Sequence, residues 1–121
     1  MIYRNETVQT DCYYKEDTVG LNEIMGFLGL CRKAGFLQCG HDAAKESIVK
    51  GRARLVILAC DAAPRLEEEM KNLTAAYGDA EVIRTVYPRE AYNKGIGKAA
   101  AVFSVNDNGF ANKLRTMFGE E

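Results

Sequence analysis

The sequence predicts an α/β protein: a three-layer α/β/α sandwich around a central mixed four-stranded sheet. Three observations carry this. The stretch "RLVILAC" (54–60) is an unbroken apolar run with β-branched members, the pattern of a strand buried on both faces. The stretches "EVIRTVY" (81–87) and "AAVFSV" (100–105) have similar strand character. Between these runs the apolar residues recur at three- and four-residue steps, as on one face of a helix. Strands and helices that alternate with short connections place helices on both faces of a sheet.

Taken in order, residues 1–20 are polar, acidic and without clear periodicity, and read as an N-terminal extension. The domain proper is expected over 21–121. Leu21, Ile24, Phe27, Leu28 and Cys31 form the stripe of a first helix, with Asn22 able to cap its start and Gly35 to stop it. Gly26 and Gly29 inside that helix each cost on the order of 1 kcal/mol against alanine. Close approach of another backbone would explain them. Phe36 to Cys39 is a short extended piece.

A second helix follows, with Asp42 as its N-cap, Ala44 and Ile48 facing inward and Gly51 closing it. After the buried strand, Asp61 and Pro64 start a third helix. Its inner stripe is Leu66, Met70, Leu73 and Tyr77, with Glu67, Glu68 and Glu69 enriching its first turn as the helix dipole favours, and Gly78 ends it. Pro88 suits the first position of a short helix, "PREAYNKG". Asn106 or Asp107 caps the last helix, whose apolar face is Phe110, Leu114, Met117 and Phe118.

At 121 residues and 47% hydrophobic content the chain can bury one core. It contains no apolar run of about eighteen residues that could span a membrane. Arg4, Glu6 and Asp11 near the start, with no apolar core segment, do not read as a signal peptide. A cytoplasmic location is therefore expected. The four cysteines (Cys12, Cys31, Cys39, Cys60) contain no C-x-x-C pair and read as reduced structural thiols. Neither a metal nor a cofactor is expected.

The net charge is −1, but it is unevenly placed. Residues 24–60 carry six basic side chains (Arg32, Lys33, Lys45, Lys50, Arg52, Arg54) against two acidic ones (Asp42, Glu46). The flanking stretches 1–23 and 61–90 are each net negative. A local excess of this kind marks a surface for an anionic partner.

Catalytic motifs do not appear. The single histidine, His41, has only sequence adjacency to Asp42, and there is no G-x-S-x-G. "GIGKAA" (95–100) fails as a phosphate loop, since Tyr92 and Ala99 stand where glycine and Ser/Thr are required. It fails as a dinucleotide fingerprint because Ala100 replaces the third glycine. Gly95 and Gly97 then read as a flexible turn from helix to strand, exposing backbone amides and Lys98. A thiolate pair of Cys39 and His41 is the one enzymatic alternative the residues allow.

The stretches "LGLCRKAGFLQCGHDAAKESIVKGRARLVILACDAAP" and "REAYNKGIGKAAAVFSVNDNGFANKL" resemble the kink-turn-binding ribosomal protein family. That family includes archaeal L-seven-Ae, the thirty-e protein, the Gadd45 group and the small bacterial YlxQ-type members. The resemblance spans about residues 21–118. It implies an α/β/α sandwich that binds structured RNA, kink-turn-like and with ribosomal RNA among the candidates, without catalysis. In this family the start of the second helix enters a sharply bent RNA, and a loop before the last strand closes over a splayed nucleotide. The resemblance places the first element at Gly40, His41, Asp42 and Ala43, and the second at Gly95 to Ala101. Arg32, Lys33, Lys45 and Lys98 become phosphate contacts, and Gly95, Gly97 and Ala99 line the closing loop. Arg52 and Arg54 precede the buried strand, on the opposite end.

The helix start departs from the archaeal pattern G-T-N-E-x-x-K, with Asp42, Ala43 and Glu46 in place of Asn, Glu and Lys. An aspartate only accepts, where asparagine also donates. This departure and the near-neutral total charge motivate an alternative, a protein-interaction adaptor on the same scaffold.

Overall fold

The first helix, α1 (Val19–Lys33), turns Leu21, Ile24, Met25, Leu28 and Cys31 inward, at the helical spacing of its apolar residues. The computed structural model describes residues 19–78 and 80–118. The polar extension expected over 1–20 lies outside the described residues, apart from Val19 and Gly20, which open α1. Asn22 consequently lies within the helix and does not cap it. The stop is as expected: Gly35 adopts φ 88°, Gly35 N–H donates to Arg32 O and Phe36 N–H to Cys31 O, a Schellman closure.

The chain then continues as β1 (Leu37–Cys39), α2 (His41–Val49), β2 (Leu55–Leu58), α3 (Pro64–Tyr77), β3 (Glu81–Arg84), α4 (Arg89–Ile96), β4 (Val102–Val105) and α5 (Asn108–Met117). The four strands form one sheet in the order β1-β4-β2-β3. β4 runs antiparallel to β1 and β2, with Cys39 opposite Phe103 and Leu58 opposite Val102, and β2 and β3 are parallel. The sheet is therefore mixed.

Side-chain alternation along β2 divides the core into two layers. Leu55, Ile57 and Ala59 pack with Phe103, Val105, Tyr92 and Leu114 and with the inward face of α1. Val56 and Leu58 pack with Val102, Ala44, Ile48 and Met70 on the other face. Helices α1, α4 and α5 thus cover one side and α2 and α3 the other, which confirms the three-layer sandwich. Among the described residues, the buried polar side chains Ser47, Thr74, Thr85 and Ser104 are hydrogen-bonded. Thr85 Oγ1 lies 2.7 Å from Tyr92 Oη and 3.1 Å from Leu58 O, and Ser104, Asn106 and Ser47 form a hydrogen-bonded chain.

Several local expectations are corrected. Asp42 is not the cap of α2; Gly40 occupies that position and no side chain caps the helix. The reason is steric: the chain turns from β1 straight into α2 through φ 102° at Gly40, leaving no residue between. Gly26 and Gly29 meet no close backbone; a Cβ at either would find nothing within 4 Å. The close approach occurs at Gly95, where a Cβ would fall 2.5 Å from the Met25 side chain. Tyr77 is exposed and Thr74 takes the inward place in α3, its hydroxyl satisfied by Lys71 O at 3.0 Å. Pro88 is the N-cap of α4 and not its first helical residue. Asp107 caps α5, its carboxylate accepting from Phe110 N–H at 3.0 Å, while Asn106 is committed to Ser104 and Ser47. Cys31 and Cys39 are free thiols, whereas Cys60 is disulfide-bonded, contrary to the expectation of reduced cysteines. An apolar flank alone does not distinguish a buried thiol from a half-cystine.

Candidate nucleic-acid interface

The end of the sheet where β1 and β2 finish and β4 begins gathers the two segments singled out from the sequence. Gly40 N–H donates to Val102 O at 2.9 Å, so the turn into α2 is bound to the first residue of β4. Gly40 O accepts from Ala44 N–H, which starts the helical ladder. With no capping side chain, the amides of His41, Asp42 and Ala43 form an open helix start carrying the positive end of the helix dipole.

The turn beside it is shorter than expected. Gly95 belongs to the last turn of α4, held there by its contact with Met25, so the loop runs from Gly97 to Ala101. Gly97 takes the left-handed conformation (φ 77°, ψ 18°) and its N–H closes α4 on Asn93 O at 2.9 Å. Lys98 and Ala99 are exposed at the tip. The far end of the turn is anchored by Ala59 N–H donating to Ala101 O at 2.9 Å.

Arg32 brings α1 to this place. Its Nη1 donates to Ile96 O at 3.0 Å, supplying a cation to the C-terminus of α4. Arg32 and Lys98 both act electrostatically on the half-buried Cys39 thiol, which places the two cations around the end of β1. Burial pushes that thiol up from its ordinary value, and the two cations only partly oppose it. Lys33 is exposed in the last turn of α1, and Lys45 is exposed one helical turn beyond His41. Glu46 is held by Lys50 at 2.7 Å, which keeps its carboxyl below the usual range.

Arg52 and Arg54 lie at the opposite end of the sheet, as expected: Arg54 N–H donates to Val105 O, and its guanidinium binds Gly51 O at 3.0 Å.

Two features have no sequence signal. His41 reaches across to α3, its Nε2 2.9 Å from Glu69 Oε2, while its Nδ1 lies 3.3 Å from Asp42 Oδ1. Both contacts raise the imidazole above its ordinary value. Second, Arg84 braces the turn after β2. It pairs with Glu67 through Nε and Nη2 (3.0 and 2.8 Å) and donates from Nη1 to Cys60 O and Ala62 O, each at 2.9 Å. Among the described residues, no group of three His, Cys, Asp or Glu side chains is placed to hold a metal ion. No helix of the described residues is long and apolar enough to cross a membrane.

The fold and this edge define a class: a small α/β/α sandwich that presents an uncapped helix start beside a glycine-lysine turn. Among solved structures, it is similar to a protein of unknown function from Bacillus halodurans C (TM-score 0.73, 27% identity, covering 82% of this chain and 99% of that one). It shares its fold with the Giardia lamblia 15.5kD RNA binding protein (TM-score 0.64, 15% identity, covering 94% of each chain). No family model matches the sequence. The chain is 30% identical over 96 residues to RNA-binding protein YlxQ of Enterococcus faecium, covering 78% of this chain and 90% of that protein. It is 34% identical over 96 residues to RNA-binding protein YlxQ of Bacillus subtilis (strain 168), covering 78% and 94%. The chain belongs to the YlxQ family.

Proposed function

We propose that this chain is a non-enzymatic, cytoplasmic RNA-binding protein that recognises kink-turn or similarly bent structured RNA in association with the ribosome. The observation that carries the reading is the hydrogen bond from Gly40 N–H to Val102 O, which seats the open start of α2 against the strand fed by the Gly97–Ala101 turn. Exposed amides at a helix start suit phosphate, and sharply bent RNA exposes base edges that a regular duplex hides. The names of the YlxQ relatives support RNA as the ligand class.

In this reading Gly40, His41, Asp42 and Lys45 meet the RNA from α2, Gly97, Lys98 and Ala99 meet it from the turn, and Arg32 and Lys33 add phosphate contacts. Gly95 acts indirectly, by seating α4 on Met25. Binding of a kink-turn oligonucleotide is expected to weaken with salt, and Lys98→Ala and Lys33→Glu each weaken it further while Lys98→Ala flattens the salt slope by about one. Equal affinity for an unbent duplex of the same length removes the kink-turn part of the reading, and no binding at low salt removes RNA altogether.

One observation favours a second reading, a protein-interaction adaptor: the carboxylates of Asp42 and Glu69 flank His41 at the helix start. A protein partner that stays bound after nuclease treatment, with no RNA affinity at low salt, decides for it.

A further inference from the structure

His41 is held by a side chain from outside the elements that form the candidate interface, Glu69 of α3. Its two ring nitrogens both face carboxylates: Glu69 Oε2 at 2.9 Å across the α2–α3 boundary, and Asp42 Oδ1 at 3.3 Å on its own helix. An ionised carboxylate only accepts hydrogen bonds, and a neutral imidazole has one N–H. Both contacts are satisfied together only when the ring carries two protons and a positive charge. Those carboxylates are the charged groups that act on the ring. Of the elements packed against α2, β4 adds no titratable group and β1 only the Cys39 thiol, while α3 presents Arg65 and Glu68 beside Glu69; Lys45 stands one turn further along the same face of α2.

The trio sits where a phosphate would approach the first-turn amides. With the ring charged, one of the two carboxylates is balanced and the helix start is left with a single net negative charge. With the ring neutral, two negative charges confront the phosphate and only one ring hydrogen bond remains. A change of one charge at this range is felt by a polyanion, because the groups lie well inside a Debye length of the helix start.

We infer that Glu69, acting through His41, is a positioning residue that makes RNA binding at the α2 start proton-linked, favouring RNA when the clasp is charged and opposing it when the ring is neutral. This rests on the RNA-binding reading above and deepens it. Glu69 meets the interface through its hydrogen bond to His41. Its placement also accounts for Asp42 at a site where an acidic side chain by itself repels phosphate: the charged ring holds both carboxylates.

The test is the affinity of the purified full chain for a kink-turn oligonucleotide from about pH 6 to about pH 8.5 at constant salt, the range in which histidine titrates. The wild type is expected to weaken about threefold to tenfold as the pH rises. His41→Gln gives a flat profile. Glu69→Gln binds more tightly than the wild type at the alkaline end, with its remaining pH dependence displaced to lower pH. Glu68→Gln, which removes a neighbouring carboxylate of α3 but keeps both partners of His41, retains the wild-type profile shape. The titration midpoint of the His41 ring, followed by NMR without RNA, falls in Glu69→Gln.

A wild-type profile as flat as that of His41→Gln, or equal profile changes in Glu68→Gln and Glu69→Gln, overturns the inference and leaves the RNA reading standing. A wild type that binds no RNA at any pH overturns both, even if the NMR midpoint moves.

Discussion

Arg32 Nη1 donates to the backbone oxygen of Ile96 at 3.0 Å and so ties the last turn of α1 to the end of α4. The two helices also pack closely where Gly95 meets the Met25 side chain. The guanidinium therefore braces the end of α4, which Gly97 closes, at the point where the Gly97–Ala101 turn begins. It serves the shape of the edge as well as its charge.

Arg32→Ala is expected to lower stability by about 1 kcal/mol, the scale of a partly exposed charge-assisted hydrogen bond. Arg32→Lys recovers the charge but not the fork geometry, and so restores only part of the loss. Urea unfolding of the three proteins measures this. Identical midpoints would show that the contact contributes nothing to the fold.

Gly95→Ala places a methyl group 2.5 Å from Met25 Cγ. Overpacking of this kind costs about 1–3 kcal/mol. Met25→Ala also destabilises, by leaving a cavity, but combined with Gly95→Ala it should cost less than the sum of the two single changes. A thermal or urea double-mutant cycle checks the coupling. Simple additivity would mean that the two helices do not meet at this point.

The thiol of Cys39 stands among Arg32 and Lys98, half-buried, while Cys31 is fully buried and pushed up to about 11 by that burial. A thiol reagent near neutral pH should modify Cys39 well before Cys31, since the thiolate is the reacting form. A saturating kink-turn oligonucleotide should slow modification of Cys39 several-fold. Mass spectrometry of the labelled peptides reads both outcomes, and labelling indifferent to RNA would place the interface elsewhere.

The His41–Glu69 clasp also links folding to pH. The ring is raised above its ordinary 6.5, first by the Glu69 hydrogen bond and then by that to Asp42. A folded-state value above the unfolded one gives stability that is complete below about pH 6.5 and lost as the pH rises through the folded value. Melting temperature should therefore decline across that window in the wild type relative to His41→Gln. The partners are largely solvent-exposed, so the decline is small. An opposite slope would show that the ring is held neutral.

The layered fold was readable because its causes are local. An apolar run from Leu55 to Cys60 cannot be placed except between two layers, and the stripes of α1, α3 and α5 state which faces those layers present. The glycines were legible by type but not by reason. Gly35 and Gly97 take positive φ as their turns require, yet Gly26 and Gly29 looked like close contacts and Gly95 like a loop residue. Local spacing records that a side chain is missing, not what would have occupied its place. The helix start at Gly40 was found at the right position, with the wrong cap. Glu69 could not be found at all: 28 residues separate it from His41, and in the sequence it belongs to an acidic first turn that the helix dipole already explains.

By itself, then, the sequence determined the order of helices and strands and most of the faces they bury, because periodicity and turn chemistry act over a few residues. Tertiary structure alone decided that Gly40 and Val102 are hydrogen-bonded, that Arg32 reaches Ile96 and that Glu69 grips His41. Those pairs are set by the order and packing of the strands and helix layers, and hydrogen bonds that reach between layers leave no periodic trace along the chain.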